Sequence, residues 1–230
     1  MSFRMDNAIV ESHHGVTLLG GGQVGARLLA RALALAPGLV AADGGADHAL
    51  RLGREPQAVI GDMDSLSDVA RHRLSGRLHP VAEQETTDFD KALRSIRAPF
   101  VLGLGFAGPR ADHALAVLNA LARHADRRCL ILSGTDVTFL APPRLVLRLP
   151  VGTRLSLFPM GPVTGRSQGL RWPIEGLRFA PDAMIGTSNE VASPQVTLEF
   201  DAPRMLVILP AGQLRRALAA LVPPPPVRGG

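Results

Sequence analysis

The sequence predicts an α/β domain with a mainly parallel sheet and helices on both faces, followed by a small all-β sandwich domain. Three features carry this expectation. Short β-branched or leucine-rich runs alternate with longer helical patterns up to about residue 140, and the break Ala141-Pro142-Pro143 follows. Beyond the break, apolar and polar residues alternate one by one, the period of half-buried strands. With 230 residues, 46% of them hydrophobic and 20% charged, the chain can bury a real core, which excludes intrinsic disorder for most of it.

In the first domain, residues 1–140, the candidate strands are 16–19, 39–42, 58–60, 78–81, 100–104 and 130–132. Between them, segments 24–36, 46–52, 66–74, 88–96 and 112–124 carry apolar residues at three- and four-residue spacing and predict helices. Strand following helix in this way implies a parallel sheet, whose ligand crevice lies beyond the C-terminal ends of the strands. In the second domain, residues 141–222, the strands are 145–149, 154–158, 195–200 and 205–209, and no helix fits before Gly212. Residues 223–230, with Pro223 to Pro226 and the closing Gly229-Gly230, predict a disordered tail.

A net charge of +5 invites a nucleic-acid partner, but its distribution argues against one. Residues 1–140 carry 15 basic and 15 acidic side chains, and the remainder carries 10 arginines against 5 acids. No run of adjacent cations exceeds two, and aromatics are 4% of the chain, too few for a base-stacking platform. The single cysteine, Cys129, leads into an apolar run and reads as a packing residue. The N-terminal segment has no uninterrupted apolar h-region, and no stretch reaches the roughly eighteen apolar residues that cross a bilayer. The expectation is a cytoplasmic protein without a membrane partner. His13 and His14 lie in this polar lead-in and are expected to be exposed.

Two glycine patterns follow candidate strands. Gly20-Gly21-Gly22-Gln23-Val24-Gly25 matches G-x-G-x-x-G, and Asp43 ends the second strand 18 residues later, which is one route to an NAD(P)-dependent oxidoreductase. Gly103-Leu104-Gly105-Phe106-Ala107-Gly108 matches the same pattern. Each pattern more safely says that backbone approaches something closely at a strand end.

Carboxylates at successive strand ends are the sharper signal. Asp43-Gly44-Gly45, Gly61-Asp62-Met63-Asp64-Ser65, Glu83-Gln84-Glu85-Thr86-Thr87-Asp88 and Arg110-Ala111-Asp112-His113 follow the second to fifth strands. In an extended segment Asp62 and Asp64 point to the same side, where a cation between them would offset their repulsion. Hard oxygen ligands beside a phosphate suit Mg²⁺.

Thr87 reads as a helix cap, with Asp90 as a short form of the capping-box acid. Phe89, Leu93 and Ile96 share the buried face, while Asp88 and Lys91 share another in the first turn. There the helix end and an ammonium can both meet phosphate oxygens. Lys91 is the only lysine in a chain whose other cations are arginines, which suggests a position needing a compact ammonium. Arg110, with Asp112 and His113 at the next helix start, can clamp phosphate bidentately.

The segments VAADGGAD, VIGDMDSL, EQETTDFDKAL and GPRADHALAVLNAL, followed by LSLFPMGPV, GLRWPIEGL and GTSNE, resemble the thiamine pyrophosphokinases. The resemblance runs from about Val16 to Leu209. It implies an α/β domain and a β-sandwich, a homodimer, and transfer of the pyrophosphoryl group of ATP to thiamine with release of AMP. Carried over by position, it implies that Asp62, Asp64 and Asp88 hold metal and phosphate, with Gln84 and Lys91 also in the catalytic set. Asp43, Gly44, Gly45, Ser65, Thr87, Arg110, Asp112 and His113 would line the ATP side. Gln84, Trp172, Ser188 and Asn189 would meet thiamine, with the indole stacked on the aromatic cation. Glu83 and Glu85 replace aspartates common in the family, and Pro109 replaces a usual glycine, removing one backbone donor. The rival readings are the oxidoreductase and a non-enzymatic nucleotide- or nucleic-acid-binding protein.

Overall fold

The computed structural model describes residues 8–108 and 110–222. The expected tail and Pro109 lie outside the described residues. The chain divides into two compact units between Ser133 and Gly134, earlier than the expected boundary at 140. The reason is a strand at Asp136–Leu140 that pairs with Met205–Pro210 and so belongs to the second unit.

The first unit contains β1 (Val10–Glu11), β2 (Val16–Leu19), α1 (Ala26–Leu33), β3 (Gly38–Ala42), α2 (Gly45–Arg51), β4 (Ala58–Gly61) and α3 (Asp68–Arg73). It continues with β5 (Leu78–Pro80), α4 (Asp88–Arg94), β6 (Ile96–Arg97), β7 (Val101–Leu104), α5 (Ala111–Arg123) and β8 (Cys129–Leu132). Its main sheet is parallel in the order β8-β7-β2-β3-β4-β5. Every residue of β2, β4, β7 and β8 is buried, as expected of strands covered on both faces. Connections run outward from β2 to β5 and then return to β7 and β8. Right-handed crossovers therefore put the two series of helices on opposite faces, with the reversal between β2 and β7. β1 and β6 form a separate parallel pair that periodicity did not predict.

Backbone contact between two loops explains the middle glycine of each pattern, whereas Gly25 and Gly108 face open space. A Cβ on Gly22 would lie 2.5 Å from the carbonyl oxygen of Gly105, and one on Gly105 would lie 2.8 Å from that of Gly20. Gly105 also has φ +78°, and Gly22 N–H donates to its carbonyl at 3.1 Å. The loops after β2 and β7 run against each other, so Gly22 and Gly105 are required by mutual packing.

The second unit contains β9 (Asp136–Leu140), β10 (Arg144–Arg148), β11 (Arg154–Pro159), β12 (Val163–Gln168), β13 (Arg178–Phe179), β14 (Gly186–Glu190), β15 (Gln195–Phe200), β16 (Met205–Pro210) and α6 (Leu214–Leu221). Antiparallel pairing joins β9, β16, β11 and β14 in one sheet and β10, β15, β12 and β13 in another. In β10 and β15 buried and exposed residues alternate, and Leu145, Leu147, Val196 and Leu198 face the core. Among the described residues no helix is long and apolar enough to cross a membrane.

Candidate functional site

The site is built on loops at the C-terminal ends of β3 and β4 and on the first turn of α4. After β3 the chain turns at Asp43, which has φ +40°, into Gly44 and α2. β4 ends at Gly61, where a Cβ would lie 2.9 Å from Asp43 Cβ and 3.0 Å from Asp88 Oδ1. Glycine at this point lets Asp43 and Asp88 close over the strand end.

Carboxylate oxygens of Asp43, Asp62 and Asp64 all lie within 4.8 Å of one another. The extended alternation expected of Asp62 and Asp64 is not what joins them. Between them Met63 takes the left-handed conformation, with φ +69°, and buries its side chain in a cluster with Ala41, Val59, Leu66 and Leu74. The turn buries the apolar side chain while leaving its acidic neighbours toward solvent.

Lys91 is 1% exposed, and its Nζ lies 3.1 Å from Asp88 Oδ1 and 3.2 Å from Asp62 Oδ2. Burial alone would lower its pKa, but the two carboxylates outweigh burial and hold it above the ordinary lysine value. The Asp62 carboxyl is held below its ordinary range, because the Lys91 bond and the Asp64 amide overcome desolvation. Asp43 moves the other way. Burial, supported by the charge of Asp88, raises it against its bond to Ser65. Asp43 Oδ2 accepts the Ser65 N–H at 3.2 Å, whereas its buried Oδ1 has no partner among the described residues.

Thr87 caps α4 as expected, its hydroxyl accepting the Asp90 N–H, and Phe89, Leu93 and Ile96 are buried. Asp90 is not the capping acid. Its buried carboxylate meets Arg123 at 2.7 Å and His124 at 2.9 Å, tying α4 to the end of α5. Gln84 is exposed in the loop before α4, and Ser65 Oγ donates to Asp64 at 2.9 Å. Arg110 and Asp112 form an exposed ion pair at 2.6 Å, and the arginine's hydrogen bond pulls the Asp112 carboxyl down to about 2. His113 is exposed in the first turn of α5. Cys129 is buried, and burial pushes its thiol above the ordinary range, as suits a packing residue.

In the second unit, Asn189 Nδ2 donates to the Trp172 carbonyl at 2.7 Å, and its Oδ1 accepts the Trp172 N–H at 3.2 Å. This reciprocal pair fixes the backbone of a tryptophan whose residue is 52% exposed. Ser188, with φ +61°, donates its N–H to Ser156 Oγ at 3.0 Å. Arg171 lies 4.9 Å from the indole centroid.

Sequence reasoning placed Asp43 on the nucleotide side, but the structure groups it with Asp62 and Asp64; its position at the neighbouring strand end was the available signal. In the 62–67 loop Arg71 donates to the Met63 carbonyl and Asp47 accepts the Ser67 N–H at 3.0 Å, contacts that nothing in residue spacing announces.

Fold and site together define a two-unit protein whose doubly wound α/β half carries an acidic strand-end centre with a buried lysine. Residues 29–132 match the thiamin pyrophosphokinase catalytic domain, and residues 145–205 match the thiamin pyrophosphokinase vitamin B1 binding domain. The chain belongs to the thiamin pyrophosphokinase family. Thiamine pyrophosphokinase 2 of Oryza sativa subsp. japonica is 30% identical over 173 residues, 66% of this chain and 65% of that protein's length. Thiamine pyrophosphokinase 1 of Arabidopsis thaliana is 28% identical over 180 residues, 70% of this chain and 67% of that protein. The thiamin pyrophosphokinase structure from Candida albicans shares the fold, with a TM-score of 0.72 at 14% identity over 91% of this chain and 95% of that one. The oxidoreductase and nucleic-acid readings are not favoured by this membership.

Proposed function

We propose that this protein is a thiamine diphosphokinase that transfers the pyrophosphoryl group of ATP to thiamine, giving thiamine diphosphate and AMP. The observation that carries the reading is the buried Lys91 held between Asp62 and Asp88 beside the Asp43–Asp62–Asp64 group. The two family matches support the substrate pair.

The donor set fits Mg²⁺. All three carboxylates offer hard oxygens, and the unpartnered Oδ1 of Asp43 is a buried acceptor that a cation would satisfy. Asp62 and Asp64 would hold the ion with Asp43 or Asp88, and bound there it would offset charge on the phosphate oxygens. In the transfer, the thiamine hydroxyl oxygen bonds to the β-phosphorus as the bond from that phosphorus to the α–β bridging oxygen breaks. AMP leaves with the bridging oxygen, and the hydroxyl proton passes to a basic oxygen. Lys91 fixes Asp62 and Asp88 and adds positive charge to the centre, so positioning and electrostatics supply most of the rate. Ser65, Thr87, Gly44, Gly45 and the Arg110-Ala111-Asp112-His113 turn would line ATP. Gln84, Trp172, Ser188 and Asn189 would meet thiamine. The reading extends to a cytoplasmic homodimer, on the strength of the family alone.

The experiment is a coupled assay of AMP release by the full chain with ATP and Mg²⁺, with and without thiamine. Thiamine-dependent AMP is expected. AMP release no higher than in the thiamine-free control overturns the proposal.

A further inference from the structure

We infer that Arg71 is a positioning residue for the acidic centre: its guanidinium, bound to the Met63 carbonyl, fixes the turn that brings Asp62 and Asp64 together. The inference rests on the metal reading proposed above and adds to it a residue outside the carboxylate set.

The segment 62–67 lies between β4 and α3 without regular structure of its own. Met63 holds a left-handed backbone that a side-chain-bearing residue seldom adopts unaided. Burial of its side chain, 5% exposed, pulls the residue inward but leaves the direction of its peptide group open. Arg71, eight residues on in α3, donates from Nη2 to that peptide's carbonyl oxygen. Lys91 holds the Asp62 carboxylate, whose Oδ1 also accepts the Asp64 N–H at 3.4 Å, but neither touches the Met63 peptide, and two further side chains brace the segment beyond it. Asp43 accepts the Ser65 N–H but is itself a candidate ligand, and Asp47 accepts the Ser67 N–H at 3.0 Å at the far end. Arg71 thus acts between the two aspartates without belonging to the acidic group.

Charge alone makes the opposite prediction. A guanidinium near a dication repels it, so removing Arg71 would tighten metal binding if only charge mattered. A positioning role predicts weaker binding, because neighbours that orient ligands commonly change metal affinity by about 10- to 100-fold.

The test titrates the full-length wild type, R71A, R71M and R71Q with Mn²⁺ alone, without ATP or thiamine, by calorimetry. R71A and R71M should bind about 10-fold more weakly, while R71Q, which keeps an N–H donor without the charge, should lie nearer the wild type. In the metal-free proteins, amide exchange at Asp64 and Ser65 should be faster in R71A and R71M. R71M keeps the aliphatic stem and decides the matter if R71A fails to fold. Mn²⁺ binding as tight as or tighter than wild type in the donor-free variants overturns the inference, as does a wild type that binds no Mn²⁺. Thiamine-dependent AMP release by the wild type is scored separately, so a failed positioning role is distinguishable from a failed activity.

Discussion

Lys91 Nζ lies 3.2 Å from Asp62 Oδ2, so the chain's only lysine joins the first turn of α4 to the loop after β4. With Asp88 3.1 Å away on its other side, the ammonium separates two carboxylates that would otherwise repel. K91M should destabilise the fold by roughly 3 kcal/mol, the usual cost of removing one partner of a buried pair. It should also lower thiamine-dependent AMP release at least about 100-fold, since the cation that holds Asp62 and Asp88 in the acidic centre is lost. K91R keeps the charge but forces a wider, planar group into a space 1% exposed, and should recover stability better than activity. Denaturant unfolding and the AMP assay check the two effects separately. Full activity in K91R would mean that charge alone suffices.

Asp43 gives a prediction of opposite sign for stability and metal binding. Its burial and unpartnered oxygen disfavour the charged form, and its φ of +40° suits asparagine better than most residues. D43N should therefore melt higher than the wild type in metal-free buffer, by about 1 kcal/mol in stability. The same change should weaken Mg²⁺ binding, because a charged oxygen ligand is lost. Melting curves with and without Mg²⁺ test both halves: the wild type should gain from the metal and D43N should gain less.

The Asp90 pair with Arg123 and His124 sets an acid limb. Burial would raise the Asp90 pKa, but the His124 bond and the neighbouring cations outweigh it and leave the value lowered. A lowered folded value stabilises the fold above the ordinary aspartate pKa of 3.8, and that stabilisation is lost as pH falls through the folded value. D90N should be less stable than the wild type near pH 7 by about 2 kcal/mol. The difference should shrink below pH 3.8, and unfolding curves across that range would show it.

Asn189 acts on Trp172 through the backbone, so its effect should be confined to one substrate. N189A should raise the KM for thiamine about 10-fold while leaving the KM for ATP near the wild-type value. Because the chain has a single tryptophan, thiamine titration read by its fluorescence reports that site directly. Unchanged quenching and KM in N189A would mean that Asn189 does not position Trp172 for thiamine, and a wild type whose fluorescence does not respond to thiamine would remove Trp172 from the thiamine contacts.

The parts of this structure that sequence foretold are those decided locally. β2, β4, β7 and β8 are continuous apolar runs because both faces are covered, and Thr87 caps α4 with its own hydroxyl. β14 was not legible, since its residues GTSNE carry no apolar signal and pairing with β11 makes it a strand. β9 alternates well, but the assumed boundary at 140 left the whole strand in the first domain. At the site the carboxylates were legible and their arrangement was not. Met63 turns left-handed over a buried cluster that draws on β3, α2, β4 and α3, and Asp90 finds its partners 33 and 34 residues away.

The abutting loops after β2 and β7 have a consequence for mutational repair. A side chain on Gly22 strikes the Gly105 carbonyl, and one on Gly105 strikes the Gly20 carbonyl. Each obstacle is main chain, which every amino acid possesses, so no second substitution at the opposing position can make room. A genetic screen for suppressors of Gly22→Ala or Gly105→Ala would recover reversion, or displacement of a whole loop, in place of a compensating partner.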